Sequence, residues 1–412
     1  LAVALGDEGA LAPEAVAAIW NSHDAGIQAR VGIFVRITIV TSAFIPLPPV
    51  AGGAVERVWD GLAREFARRG HEVQFFCNRP EGTEPSEIVD NVRFRRISSL
   101  PQARSAAGNV LRAIPYAARV LLELPEADIL VVNDTATLTM LPPRLGAVGR
   151  LVMNLQRLPK GPAMRVLYAK AWKLVAVSAA VRKAVAKAVP DLLDRTVVIG
   201  NPAHVEVFRA AGHRRLDPRT KTILYTGRIH PEKGLHLLAA AFRAISSEFP
   251  AARLRIVGES RIDRGGGGDE YRRELETLLT GLDAKVLDPV NDTHALAGVL
   301  GEADVYCYPS LAETGETFGV AVLEACAAGL APIVSNLDAF NDFVREGETG
   351  FVFDHRRADP GLALEQTLRT VLGMPAEQLK RMGEAASALS DHFSYENIAA
   401  KYLELFEGKD GY

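Results

Sequence analysis

With 412 residues, 48% of them apolar and 24% charged, the chain can form two or three globular domains and is too apolar to be disordered. A net charge of −3 gives no overall electrostatic case for nucleic-acid binding, so no nucleic-acid partner is expected. Cys77, Cys307 and Cys326 stand far apart with no CxxC pair, which argues against a zinc site or disulfide framework and predicts three buried thiols.

No apolar run reaches the 18–20 residues of a membrane-spanning helix, and with Asp7, Glu8 and Glu14 breaking the opening segment no secretory leader is expected in it. Residues 1–34 are expected to be an N-terminal extension, either non-native or upstream of a true start at Val35, because Val35-Arg36-Ile37-Thr38-Ile39-Val40 reads as the opening strand of an α/β domain. That strand is predicted over Arg36–Phe44, followed by a Pro/Gly loop and a helix over Val55–Arg69. In the helix, Val55, Val58, Trp59, Leu62 and Phe66 recur at helical spacing, and Gly70 stops it. Further strands are predicted at Glu72–Cys77, Val92–Ile97, Ile129–Asn133, Leu151–Leu155, Leu174–Val177 and Val197–Ile199. Within residues 101–200, Lys and Arg number 14 against 6 Asp and Glu, and much of the excess lies between Arg157 and Lys187 around Tyr168 and Trp172. That pattern suits either a basic face with apolar anchors for an anionic membrane or acceptor, or a solvated helix face beside a phosphate cleft.

Ala210–Thr220 is predicted to be a linker. The strand–helix rhythm then restarts with strands at Thr222–Tyr225, Arg253–Val257, Ala284–Leu287, Val305–Tyr308 and Ala331–Val334, and a helix over Leu235–Ile245. Two such halves predict two Rossmann-like domains facing a cleft, with ligands beyond the carboxyl ends of the strands. Gly265–Gly268 is expected to be a mobile surface loop rather than a phosphate loop.

Three segments can carry chemistry. In Glu316-Thr317-Phe318-Gly319-Val320-Ala321-Val322-Leu323-Glu324, the helical pattern starts at Thr317, so Glu316 falls in the preceding loop and Glu324 about two turns inside. The amides of Thr317, Phe318 and Gly319 would form a helix N-terminus suited to phosphate or sugar hydroxyls. Glu324 stands in an apolar stretch, where an unpaired carboxylate is costly, and this favours a ligand-binding role over a solvated one. In Gly227-Arg228-Ile229-His230-Pro231-Glu232-Lys233-Gly234, Arg228 and Lys233 are placed to reach one diphosphate. Gly52-Gly53 permits close approach of backbone to a ligand, or simply turns the chain.

Glu-x7-Glu enclosing Phe-Gly, followed by Glu324-Ala325-Cys326-Ala327-Ala328-Gly329, resembles the signature of glycosyltransferase family four, the retaining GT-B glycosyltransferases. Gly227-Arg228…Glu232-Lys233-Gly234 is similar to that family's phosphate loop, and Gly52-Gly53-Ala54-Val55-Glu56 with Gly70-His71-Glu72-Val73 to its opening. Val177-Ser178, Val198-Ile199-Gly200-Asn201 and a terminal helix at Phe393–Phe406 extend the resemblance over about residues 36–406. It implies an α/β GT-B architecture divided at 35–208 and 209–390, with residues 391–412 crossing back to the first domain. It also implies a nucleotide-diphosphate sugar, UDP- or GDP-linked, as donor, no cofactor and no metal, and a glycan, lipid-linked or small-molecule acceptor, as in cell-envelope or exopolysaccharide synthesis. Arg228 and Lys233 would then neutralise the diphosphate, with Gly227 and Gly53 near it. Glu316 and the Thr317–Gly319 amides would hold the sugar, Glu324 the ribose, and Leu287 and Val290 the base. Gly52, Asn133 and Asp134 would lie on the acceptor side. Many family members have His where this sequence has Asn133, and an amide cannot serve as an imidazole base. The expected location is cytoplasmic, or peripheral on the inner face of the membrane. Rival readings are a GT-B nucleotide-sugar epimerase and a non-catalytic nucleotide-sugar-binding subunit.

Overall fold

The computed structural model describes residues 34–47, 53–103, 105–133, 149–159, 164–211 and 220–408. Val35–Tyr412 forms one compact unit built on two sheets. The first sheet comprises β1 (Arg36–Val40), β2 (Glu72–Asn78), β3 (Ser86–Val89), β4 (Val92–Ile97), β5 (Ile129–Val132), β6 (Arg150–Leu155), β7 (Lys173–Ala176) and β8 (Thr196–Val198), in the order β3-β4-β2-β1-β5-β6-β7-β8. All its pairings are parallel except β3 with β4. The second comprises β9 (Thr222–Thr226), β10 (Arg253–Val257), β11 (Ala284–Leu287), β12 (Val305–Tyr308), β13 (Ala331–Ser335) and β14 (Phe351–Phe353). Its order, β11-β10-β9-β12-β13-β14, is parallel throughout and reverses direction between β9 and β12. This is the 3-2-1-4-5-6 order of a doubly wound sheet, and the reversal opens a crevice at the carboxyl ends of β9 and β12.

The central strands are apolar on both faces because helices cover both. Every residue of β5 (Ile-Leu-Val-Val) and of β12 (Val-Tyr-Cys-Tyr) is buried. The first helix runs over Ala54–Arg68 and buries Val58, Trp59, Leu62 and Phe66. Its outer side carries Arg64 and Arg68, paired with Asp60 and Glu65. The terminal helix, Tyr395–Glu407, packs on it: the rings of Trp59 and Tyr402 lie 5.2 Å apart, and those of Phe66 and Phe406 5.8 Å. Asn154 of β6 donates to the Tyr402 hydroxyl at 2.8 Å, so this helix is tied into the first sheet. Ser394 caps this helix by accepting from the Asn397 amide, which moves its start two residues past the predicted Phe393.

Other boundaries also differ from the sequence reading. β1 ends at Val40, and the apolar residues up to Phe44 belong to a turn. The first helix begins at Ala54 and ends at Arg68, one residue earlier at each end. Two strands carried no readable pattern. β3 is almost wholly exposed on the sheet edge, behind a turn in which Asp90 and Asn91 both take positive φ. β14 is only three residues long. Of the expected linker, Ala210 and Ala211 complete the helix Val205–Ala211, and residues 212–219 lie outside the described residues. All three thiols are buried, and burial pushes those of Cys77 and Cys326 up to about 12.

Candidate active site

The crevice of the second sheet collects the chemistry-bearing residues. The loop leaving β9 makes a 3-10 turn at Pro231–Lys233 and closes on Gly234, which has φ 67°. A Cβ on Gly234 would lie 2.1 Å from the Pro309 carbonyl oxygen, so only glycine lets this loop press against the end of β12. That close approach brings Lys233 to Glu316. Lys233 Nζ donates to Glu316 Oε2 at 2.7 Å, with side chains 6% and 9% exposed. Ser310 Oγ donates to the same oxygen at 3.2 Å, and the ammonium stands 5.3 Å from the centre of the Tyr308 ring. Burial, with the Glu316 charge beside it, raises the Tyr308 hydroxyl well above its ordinary value, so this ring remains a neutral floor. An ammonium has three donors, and Glu316 takes one, so Lys233 keeps capacity for an anionic ligand.

Arg228 occupies a different place. Its guanidinium, about half exposed, donates to the Gly265 carbonyl oxygen at 2.8 Å and to Glu232 Oε1 at 2.7 Å. The two cations therefore sit in one loop but on different partners. The contact with Gly265 also corrects the reading of Gly265–Gly268 as a mobile surface loop. This run follows the turn Ile262–Arg264 after β10 and leads directly into the helix Gly268–Leu278. Gly266 and Gly268 are buried, and the amides of Gly266, Gly267 and Gly268 donate to the carbonyls of Arg261, Ile229 and Ser260. The run is a packed wall behind the Arg228 loop.

The second acidic residue also shifts. The helix runs over Val320–Ala327 with Gly319 as its N-cap, three residues later than expected. Glu324 is thus its fifth residue, little more than one turn in, and the first-turn amides belong to Val320 and Ala321 rather than to Thr317–Gly319. The tight packing of Gly319 against the Phe340 ring and of Phe318 against Phe343 and Phe393 explains the delay. Thr317 instead spends its hydroxyl on the Gln156 carbonyl oxygen, which links the two halves at 3.1 Å. Glu324 is partly exposed but densely surrounded. Desolvation pushes its carboxyl up to about 7, and the charge of Arg57 only partly offsets this. Gly227 closes β9, and Leu287 ends β11 more than a third exposed, with Val290 half-buried beyond it.

In the first half, Gly53 is the N-cap of its helix with φ 69°, and a Cβ there would meet Ile45 at 2.9 Å. Asn133 follows β5 at the reversal point between β1 and β5, and both its amide nitrogen and oxygen are buried without a partner among the described residues. Leaving such a group unsatisfied costs roughly 1–3 kcal/mol, which suits an amide held for a ligand. Gly52 and Asp134 lie outside the described residues. Tyr168 is in the core and offers no surface anchor, which corrects that part of the Arg157–Lys187 reading. Trp172 is half-buried under Arg150, 4.7 Å from its ring. Sequence reasoning missed Ser310, Tyr308 and Arg57, because nothing in their spacing connects them with Glu316, Lys233 or Glu324.

Comparison with known proteins agrees with this architecture. Residues 51–207 match the family described as Glycosyltransferase Family 4, and residues 211–388 match Glycosyl transferases group 1. A phosphatidyl-myo-inositol mannosyltransferase of Mycobacterium tuberculosis is 33% identical over 216 residues, which cover 51% of this chain and 53% of that protein. The matched segment thus spans about half the length of that relative. A GDP-mannose-dependent alpha-(1-6)-phosphatidylinositol dimannoside mannosyltransferase of the same species is 27% identical over 380 residues, covering 86% of this chain and 92% of its own. Among solved structures, the sucrose-phosphate synthase of Thermosynechococcus elongatus superposes with a TM-score of 0.72 at 18% identity, over 91% of this chain and 98% of its own. With two doubly wound domains, and family matches that meet between residues 207 and 211, the chain belongs to the GT-B glycosyltransferases of family 4, group 1.

Proposed function

We propose that this protein transfers a hexose from a nucleotide-diphosphate sugar to a sugar-containing or lipid-linked acceptor with retention of anomeric configuration. The observation that carries this reading is the buried Lys233–Glu316 pair at the reversal point of the second sheet. Cleavage of the anomeric bond builds negative charge on the leaving phosphate, and a fixed, water-shielded ammonium stabilises that charge where it forms. Arg228 supplies a second cation by leaving Glu232 for the diphosphate. The departing phosphate oxygen accepts the acceptor's proton on the same face, so no separate general base is needed. Glu316 and Glu324 grip hydroxyls of the sugar and the ribose and do not act as an acid and a nucleophile. Asn133, with its free amide atoms, contacts a sugar hydroxyl on the acceptor side. The domains divide at 35–208 and 209–390, with 391–412 returning to the first.

The mycobacterial relatives make GDP-mannose the first donor to try and phosphatidylinositol the first acceptor. An acceptor of that kind requires contact with a membrane surface. Among the described residues no helix is long and apolar enough to cross one. We assign the contact to the basic 157–187 region, where Val166 is 72% exposed beside Arg165 and Lys170, and place the protein on the cytoplasmic face. The test is incubation with GDP-mannose or UDP-glucose, with and without phosphatidylinositol vesicles and EDTA, followed by mass analysis. Donor consumption that survives the chelator is expected, because Lys233 and Arg228 supply the positive charge. Nucleotide binding with no consumption of any donor would overturn the reading.

A further inference from the structure

Glu316 lies at the end of a loop, Ser310–Thr317, that is buried at Ser310 and exposed at its tip. Ala312 is buried, but Glu313, Thr314 and Gly315 are exposed. The loop is nevertheless held at defined points. The Leu311 amide donates to the Glu232 carbonyl oxygen at 2.7 Å, and the Glu313 side chain is gripped by two residues that follow β14. Arg356 donates to both Glu313 oxygens, from Nε at 2.8 Å and from the second guanidinium nitrogen at 2.9 Å. Its third guanidinium nitrogen reaches the Asn336 carbonyl oxygen at 2.5 Å, and its backbone amide donates to Asp354. His355 Nε2 meets Glu313 Oε1 at 2.9 Å. One guanidinium thus fastens together the loops that leave β12, β13 and β14, at the carboxyl ends where a doubly wound sheet binds its ligand.

Two features separate this cluster from ordinary surface ion pairing. His355 has a side chain only 4% exposed, and its Nδ1 is buried without a partner among the described residues. A buried unsatisfied nitrogen is a cost that folds rarely tolerate without a compensating role. Glu313 and Arg356, by contrast, are about half exposed, where an ion pair contributes little to global stability. Arg356, then His355, holds the Glu313 carboxyl below its ordinary range, so the carboxylate facing Arg356 is ionised at neutral pH. A cluster that adds little stability yet fixes one loop through a bidentate fork acts on geometry.

We propose that Arg356, His355 and Glu313 are positioning residues that hold the Ser310–Thr317 loop so that Glu316 meets the donor sugar already in place. This rests on the reading of Glu316 as a donor-sugar contact. Displacing a substrate-positioning group by about 1 Å can lower turnover by about 100-fold. The diphosphate cations stand on another loop, which Gly234 seats against Pro309 without any contact from Arg356, so loss of the clamp acts first on the sugar contact although Glu316 also meets Lys233.

The test compares the full-length protein with Arg356→Ala and Arg356→Lys. Arg356→Ala should lower kcat/KM for the intact nucleotide sugar by about 10- to 100-fold. Inhibition by the free nucleoside diphosphate should change by less than about twofold, and Tm should stay within about 2 °C, as for a weak surface pair. Arg356→Lys, which keeps the charge but loses the fork, should fall between. Hydrogen exchange gives a readout independent of turnover: amides of 312–317 should exchange about tenfold faster in Arg356→Ala, reflecting local opening. Unchanged kcat/KM in an active protein, unchanged protection of the loop, or a parallel loss of nucleotide affinity and Tm would each overturn the proposal. An unmodified protein that consumes no donor would overturn the functional reading instead, and the exchange result would still decide whether the clamp holds the loop.

Discussion

Lys233→Ala is expected to remove both turnover and stability. Lys233 and Glu316 form a buried pair at 2.7 Å, so deleting the ammonium leaves a buried carboxylate whose remaining hydrogen-bond donor in that grip is Ser310. Breaking such a pair costs roughly 3–5 kcal/mol, a large share of the stability of an ordinary domain. Loss of a preorganised group facing developing charge separately lowers kcat by about 10²–10³-fold. The two effects are separable. Lys233→Met combined with Glu316→Gln removes both charges and keeps the volume, so Tm should return most of the way while turnover stays lost. Thermal melting and kcat/KM on the single and double variants check this. A single variant that melts normally and turns over within twofold of the unmodified protein would refute the assignment of Lys233.

Nucleotide affinity should fall as pH drops through about 7, and Glu324 is the cause. Desolvation raises its carboxyl to about 7, so the ionised acceptor for ribose hydroxyls is the major form only above that pH. If only the ionised form grips the ribose, affinity should drop about tenfold between pH 8 and pH 6. Hydroxyls donating to the carboxylate stabilise its charged form, so binding near pH 6.5 should release a proton. Titration calorimetry in buffers of different ionisation enthalpy measures that release. Glu324→Gln should bind more weakly at pH 8 and lose the dependence. The folding consequence has the opposite sign. A carboxyl raised above its unfolded value favours the fold at low pH, and that contribution is lost as pH rises through about 7.

Much of this molecule was legible in its residues. Strands buried on both faces, such as Val305–Tyr308, announce themselves by continuous apolar runs, and their alternation with amphipathic helices gave the doubly wound halves. Lys233, Glu316 and Glu324 stood out because charge in an apolar or glycine-punctuated context needs a reason. What stayed hidden depends on approach between distant segments. The Lys233–Glu316 bond spans 83 positions, and Arg356 reaches back 43 to Glu313. The late start of the helix at Val320 follows from phenylalanine rings that arrive from residues 340, 343 and 393, which local periodicity cannot report. Gly265–Gly268 was misread for the same reason: its order comes from carbonyls of Arg261, Ile229 and Ser260 packed around it.

The most direct test of the donor site is a crystal structure of the protein with a bound nucleoside diphosphate. The expected result places a phosphate oxygen within hydrogen-bond distance of Lys233 Nζ, the Arg228 guanidinium turned from Glu232 towards the diphosphate, and a ribose hydroxyl on Glu324. A diphosphate bound elsewhere, with the Lys233–Glu316 pair untouched and Glu324 without a ligand contact, would contradict it.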